Sequence, residues 1–216
     1  MDIKIWADYA CPYSYMGEKQ LIGIIEQSGL SDKIKLRFMA YQLDPHAPDV
    51  PVESMTQHFM DGHKYTPEQT EHLMARITKM AASVGLDYKL ATTQVCSTLD
   101  AHRLIEYAQH CGASQAQIVK LNLALFHANF IDNLRLSDHS VLLSIAEKCG
   151  FDLSAVKSVL ESDQYKAQVL SEEQEVDQRQ DFDLIPFMVF NDATVLQGVI
   201  SAEDMKRALG LVSAND

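Results

Sequence analysis

Strand patterning is confined to the two ends of this chain, and nearly everything between them reads as helix. No other feature constrains the fold as much, because an amphipathic strand needs partner strands to bury its apolar face. Residues 2–7 alternate in the strand manner, and a helical pattern runs from about 13 to 28. Lys33-Ile34-Lys35-Leu36-Arg37-Phe38-Met39 alternates again, as a half-buried strand does. Pro45, Pro48 and Pro51 then break regular structure and make a loop. The strand signal returns only at Pro186-Phe187-Met188-Val189-Phe190. It is followed by an Asn191-Asp192 turn, a short Thr194-Val195-Leu196 strand, and a last helix opened by Ser201-Ala202-Glu203-Asp204.

The intervening helices carry their own punctuation. Thr66-Pro67-Glu68-Gln69 combines an N-cap, a proline at the first helical position and a residue that closes a capping box. Leu73, Ile77, Met80, Ala81 and Val84 keep helical spacing until Gly85 stops it. Further helices are predicted at 98–111, 114–129, 138–149, 153–161 and 164–180, with Gly112 and Gly150 where C-terminal caps belong. The charged run 172–183 reads as a solvated helix face. Neither strand-bearing end could bury its sheet alone. The prediction is an α/β protein with one unit built from 1–50 and 181–216 and interrupted by a helical domain at 51–180.

Composition narrows the function classes. With 47% hydrophobic residues the chain has enough apolar surface for a sizeable core. A formal charge of -12 disfavours nucleic acid and anionic membranes as partners. No stretch is long and apolar enough to span a bilayer, and Met1-Asp2-Ile3-Lys4-Ile5-Trp6 reads as an immediate strand without signal-peptide character. A cytoplasmic location is therefore expected. The four cysteines, Cys11, Cys96, Cys111 and Cys149, form no C-x-x-C pair and no zinc pattern. Cys96, Cys111 and Cys149 fall in or beside apolar helical patterns and read as small buried hydrophobes.

Cys11 stands apart, at the junction of the first strand and first helix in Asp8-Tyr9-Ala10-Cys11-Pro12-Tyr13-Ser14-Tyr15. A helix N-terminus offers unpaired N–H groups and the positive end of the peptide dipoles, which stabilise a thiolate. Pro12 suits the first helical position, and the Ser14 hydroxyl is within reach of the sulfur. A low thiol pKa is expected, although a cysteine that merely caps the helix fits the spacing too. Ile185-Pro186 makes a second candidate, because Pro186 cannot donate to a ladder and leaves Ile185 backbone groups in play. Local sequence alone favours a trans bond there.

The ordered set of segments resembles the DsbA-like proteins of the FrnE subgroup over nearly the whole chain. It comprises Asp8-x-x-Cys11-Pro12, Tyr41-Gln42-Leu43-Asp44-Pro45, Leu99-Asp100-Ala101-His102-Arg103-Leu104, Leu125-Phe126-His127-Ala128-Asn129-Phe130 and Ile185-Pro186-Phe187-Met188-Val189-Phe190. The resemblance implies a thioredoxin fold with a large all-helical insertion between its βαβ and ββα halves. It implies Cys11 as the attacking sulfur and a cis Ile185–Pro186 bond whose Ile185 groups, with Pro12 and Tyr13, hold substrate. Thiol–disulfide exchange through a mixed disulfide is the implied chemistry.

Position 14, where the family carries its second cysteine, is serine, so the implied enzyme is a monothiol with glutathione as the resolving co-substrate. Ser97 and Gly198-Val199-Ile200 also depart from the family pattern, which weighs against a small ligand held by those side chains. Cys11-Pro12-Tyr13-Ser14-Tyr15 is similar to the opening of kappa-class glutathione transferases and chromene-carboxylate isomerases as well. A glutathione-dependent transferase or isomerase on a small apolar molecule is therefore the second reading, and a weakly catalytic binding module the third. Protein or small-molecule thiols and disulfides are the expected partners, and relatives often form homodimers. No tightly bound cofactor and no metal are expected. His58, His63, His72 and His110 read as surface or core histidines, while His102 could line the cleft. Met55 and Met60 could form a pliable apolar surface, with Met74 and Met80 filling core gaps.

Overall fold

The computed structural model describes residues 1–62 and 64–212; His63, one of the crowded histidines, lies outside them. The first strand, β1 (Asp2–Ala7), leads into α1 (Pro12–Gln27) and then β2 (Lys35–Ala40). A long helical block follows: α2 (Met55–Gly62), α3 (Pro67–Ser83), α4 (Leu99–His110), α5 (Gln115–Phe130), α6 (His139–Lys148), α7 (Leu153–Leu160) and α8 (Lys166–Asp177). The chain closes with β3 (Phe187–Phe190), β4 (Thr194–Gln197) and α9 (Ala202–Ala208). Strand order is β2-β1-β3-β4, with β1 parallel to β2 and antiparallel to β3, and β4 antiparallel to β3. The two strand-bearing ends therefore build one sheet, and the topology is a thioredoxin fold with the helices inserted between its halves.

The strand period of two sorts side chains onto two faces. Ile3, Ile5, Leu36, Phe38, Met188 and Phe190 join the large core formed with α1, α4, α5 and α9. Trp6, Met39, Phe187 and Val189 point the other way and meet Val176 of α8. Helices of the block thus share a continuous apolar core with the sheet. Burying one such side chain contributes roughly 1.5–3 kcal/mol, so the block and sheet are strongly coupled.

The free edge of β2 is closed by side chains of that block. The N–H groups of Leu36, Phe38, Ala40 and Gln42 donate to Gln115 Oε1 (3.2 Å), Gln109 Oε1 (2.9 Å), Glu172 Oε2 (2.8 Å) and Glu173 Oε1 (3.0 Å). Glu172, expected on a solvated face, is 2% exposed. It is buried because α8 lies across the sheet, where its carboxylate and its carbonyl serve the Ala40 amide and the Trp6 indole.

The cap of α3 forms as expected, with reciprocal bonds between Thr66 and Gln69. Gly85, Gly112 and Gly150 each take positive φ after their helices. Cys96 and Cys149 are buried, but Cys111 is exposed because the helical pattern ends just before it, at the C-cap of α4.

Candidate active site

Helix α1 starts on Cys11, whose backbone is extended (φ −92°, ψ 112°) and whose side chain caps nothing. Its N–H donates to the Asp8 carbonyl at 2.9 Å, and its own carbonyl accepts from the Ser14 N–H at 3.1 Å. Pro12 occupies the first helical position without leaving an N–H stranded. The N–H groups of Tyr13 and Ser14 and the Ser14 hydroxyl surround the sulfur, and each favours the anion. Ser14 is fully buried, and among the described residues its hydroxyl has no oxygen or nitrogen partner, which leaves the Cys11 sulfur as its companion.

Burial outweighs those donors. Cys11 is 4% exposed, and desolvation pushes its thiol up from an ordinary 9.0 to about 11, with the nearby Asp8 carboxylate adding to the rise. The expected low pKa is therefore corrected. Backbone amides at a helix start do assist the thiolate, but a sulfur shut away from water loses more hydration than they return.

Asp8, which sequence reasoning passed over, organises the loop. Its Oδ1 accepts from the Ala10 N–H (3.0 Å) and the Thr98 hydroxyl (2.8 Å), and its Oδ2 accepts from the Leu43 N–H (2.7 Å). One buried carboxylate thus ties the β1–α1 loop to the segment after β2 and to the start of α4. The available signal was an aspartate able to bond its own backbone two residues on. Tyr88 was also missed. Its hydroxyl donates to the Pro12 carbonyl at 2.7 Å, and its ring stacks with Tyr15 and Phe130.

The Ile185–Pro186 peptide is cis. Trp6 pairs with Phe187, the end of the β1–β3 ladder, and Pro186 directly precedes that rung. The other side of Pro186 meets α1, where a Cβ on Gly17 would come within 3.1 Å of its Cγ. A side chain there would require helix or proline to give by a few tenths of an ångström. The Pro186 carbonyl accepts from the Gly198 N–H at 2.9 Å, and Gln197 Oε1 holds the Asp183 and Leu184 amides. Among the described residues the Ile185 N–H and carbonyl have no hydrogen-bond partner.

The structure thus gathers Cys11, Pro12, Tyr13 and Ser14 in one helical turn, and Pro186 packs against Gly17 of the same helix. Tyr13, Met16 and Gly17 line a depression of about 200 Å³ together with Met80, Gly198 and Ile200. His102 is not in it. That imidazole is 2% exposed, packs on the Tyr9 ring (4.9 Å between centroids) and lies 3.5 Å from Asp8 Oδ1. It supports the loop from beneath because α4 turns this face inward. Among the described residues no cluster of three or more His, Cys, Asp or Glu is arranged to hold a metal.

A sheet of this order, a cysteine opening the first helix and a cis proline before the third strand define a thioredoxin-fold protein with an inserted helical block. The chain belongs to the DSBA-like thioredoxin domain family, whose pattern its residues 2–210 match. It is similar to a solved structure described as a probable DsbA oxidoreductase from Streptomyces coelicolor, with 25% identity, a TM-score of 0.86 and coverage of 100% of this chain and 93% of that one. A 2-hydroxychromene-2-carboxylate isomerase shares the fold at 16% identity and a TM-score of 0.69, covering 97% and 95%. So does the cytosolic disulfide reductase DsbM from Pseudomonas aeruginosa, solved with GSH, at 13% identity and a TM-score of 0.66, covering 97% and 98%.

Proposed function

We propose that this chain is a thiol–disulfide oxidoreductase of the DsbA–FrnE type, acting as a monothiol in the reducing direction. Its family and the Streptomyces neighbour support the reaction class at a general level. The observation that carries the reading is the first turn of α1: a cysteine free of capping duty, ringed by three donors to its sulfur, on a helix that packs at Gly17 against the cis proline.

In the proposed cycle the Cys11 thiolate attacks one sulfur of a substrate disulfide. A new S–S bond forms at Cys11, and the other substrate sulfur leaves and takes a proton. An external thiol such as glutathione then attacks the mixed disulfide and releases Cys11, since Ser14 cannot do so. The reducing direction is the one proposed because Ser14 leaves Cys11 without a partner thiol, so the motif holds no internal disulfide to donate. Extended substrate is held by the Ile185 N–H and carbonyl, and Pro12 and Tyr13 form the adjoining wall. A cytoplasmic location, where glutathione is reduced, suits this cycle.

The test is reduction of a glutathionylated peptide by the wild type and by Cys11→Ser, with mass spectrometry for the Cys11 adduct. Turnover that survives Cys11→Ser, or no adduct in the wild type, would overturn the reading. A glutathione-dependent transferase or isomerase is the second reading, supported by the mostly apolar depression beside Tyr13. Conjugation of an apolar electrophile without any disulfide reduction would select it. Neither activity, with the fold intact, would leave a binding module.

A further inference from the structure

The inserted block contributes one side chain to the first turn of α1. Tyr88 lies in the segment between α3 and α4, and its hydroxyl donates to the Pro12 carbonyl at 2.7 Å across 76 positions of sequence. Its ring is held on two sides, stacked on Phe130 at 4.9 Å and on Tyr15 at 5.9 Å between centroids. The backbone beside it is fixed too, because the Lys89 N–H donates to the Phe130 carbonyl at 2.8 Å. A buried phenol has to find an acceptor somewhere; the acceptor this one finds gives it a bearing on the sulfur.

The Pro12 carbonyl and the Tyr13 N–H are the two ends of one conjugated peptide unit. A donor on the oxygen draws electron density toward it and leaves the N–H more positive, so bonds in such a chain strengthen one another. That N–H is one of the groups that favour the anion at Cys11. Tyr88 hydroxyl, peptide unit and sulfur therefore stand in one line, O–H to carbonyl and N–H to sulfur. The Asp8 carboxylate works against the anion. Burial holds the Tyr88 phenol protonated well above its ordinary range, with Tyr15 and Cys11 adding to the rise, so it stays a donor.

We propose that Tyr88 is a positioning residue of the exchange reaction, polarising the Pro12–Tyr13 peptide so that its N–H steadies negative charge on the Cys11 sulfur. The exchange part of this assignment rests on the monothiol reading; the polarisation of the peptide does not. Charge collects on the sulfur twice in the cycle. The first occasion is loss of the thiol proton before attack. The second is resolution, when a thiolate such as that of glutathione bonds to the other sulfur of the mixed disulfide. The old S–S bond then breaks, and its electron pair returns to Cys11. A leaving sulfur departs faster the better its anion is stabilised. Ser14 offers no internal thiol, so every turnover passes through that departure.

The test is alkylation of Cys11 by iodoacetamide in the full chain, read by mass spectrometry from neutral to mildly alkaline pH. It compares the wild type with Tyr88→Phe and with Tyr88→fluorotyrosine. Phenylalanine keeps the ring stack and loses only the hydroxyl, whereas ring fluorine makes the hydroxyl a stronger donor at nearly the same size. The rate should fall by about twofold in Tyr88→Phe and rise above the wild type in Tyr88→fluorotyrosine. A bulkier reagent should give the same ratios, because ionisation and not access sets them. Reduction of a glutathionylated peptide should follow the same order in kcat, with KM unchanged. Equal alkylation rates in all three chains, a faster Tyr88→Phe, or ratios that vary with reagent size would each overturn the assignment. Should Tyr88→Phe fail to fold, the fluorotyrosine comparison decides alone. Peptide reduction absent from the wild type would instead sink the monothiol reading, and with it the exchange role, while the alkylation order still decided the polarisation.

Discussion

Burial makes Cys11 a thiol that resists ionisation. With its thiol pushed to about 11, the anion at pH 7 amounts to on the order of one molecule in ten thousand. Alkylation of the folded protein should therefore be slow at neutral pH and climb about tenfold per pH unit toward 11, measured by mass spectrometry against pH. A plateau reached near pH 7 would contradict the burial argument. Ser14→Ala removes a buried hydroxyl that favours the anion, so the same profile should move to still higher pH.

Glu18, 1% exposed, presents a second residue-scale case. Burial lifts its carboxyl from 4.5 to about 8, while Asn122, whose amide donates to it, pulls the other way. The folded protein keeps this proton after the unfolded chain has lost it. The stability that comes with it is complete below about 4.5 and is lost as pH rises to about 8. Glu18→Gln, which mimics the neutral acid, should flatten that decline and gain on the order of 3 kcal/mol at pH 8 in denaturant titrations. A decline of unchanged depth would place the proton elsewhere.

At the scale of elements, the α1–β3 contact is the most exacting. Gly17 is tightly enclosed, since a Cβ there would meet Pro186 Cγ at 3.1 Å and Met188 Cε at 3.3 Å. Gly17→Val should push helix and strand apart at a cost of about 1–3 kcal/mol, read as a lower denaturation midpoint, and should impair disulfide reduction beyond what the lost stability explains. Much of this level was legible beforehand. The Thr66–Gln69 box, the glycine stops and the alternation in both strand groups are local signals, and each element forms where they place it. What stayed hidden was set by distant partners. Nothing near Glu172 in sequence announces that Ala40 will need its carboxylate. Likewise, nothing near Tyr88 announces the Pro12 carbonyl, and no local feature of Cys11 reveals how fully it is enclosed. The burial of Cys11, which sets its ionisation, could not be read from the residues around it.

Over the whole molecule, the inserted block completes the sheet as much as it covers it. Side chains from α4, α5 and α8 and the residues around them take the outward amides of β2, at an expected net value of about 1 kcal/mol for each bond. Gln109→Ala with Gln115→Ala should therefore cost about 2 kcal/mol. It should also raise light scattering in mild denaturant, and a double variant as monodisperse as the wild type would refute the assigned role. A further consequence concerns the order of events during synthesis. The strand emerges from the ribosome well before the glutamines and glutamates that satisfy it, separated by up to 132 residues in the case of Ala40 and Glu172. Throughout that interval its bare rim is a template on which a neighbouring nascent chain can lay a strand of its own. Docking of the late helices is thus the step that closes this rim to strands from other chains.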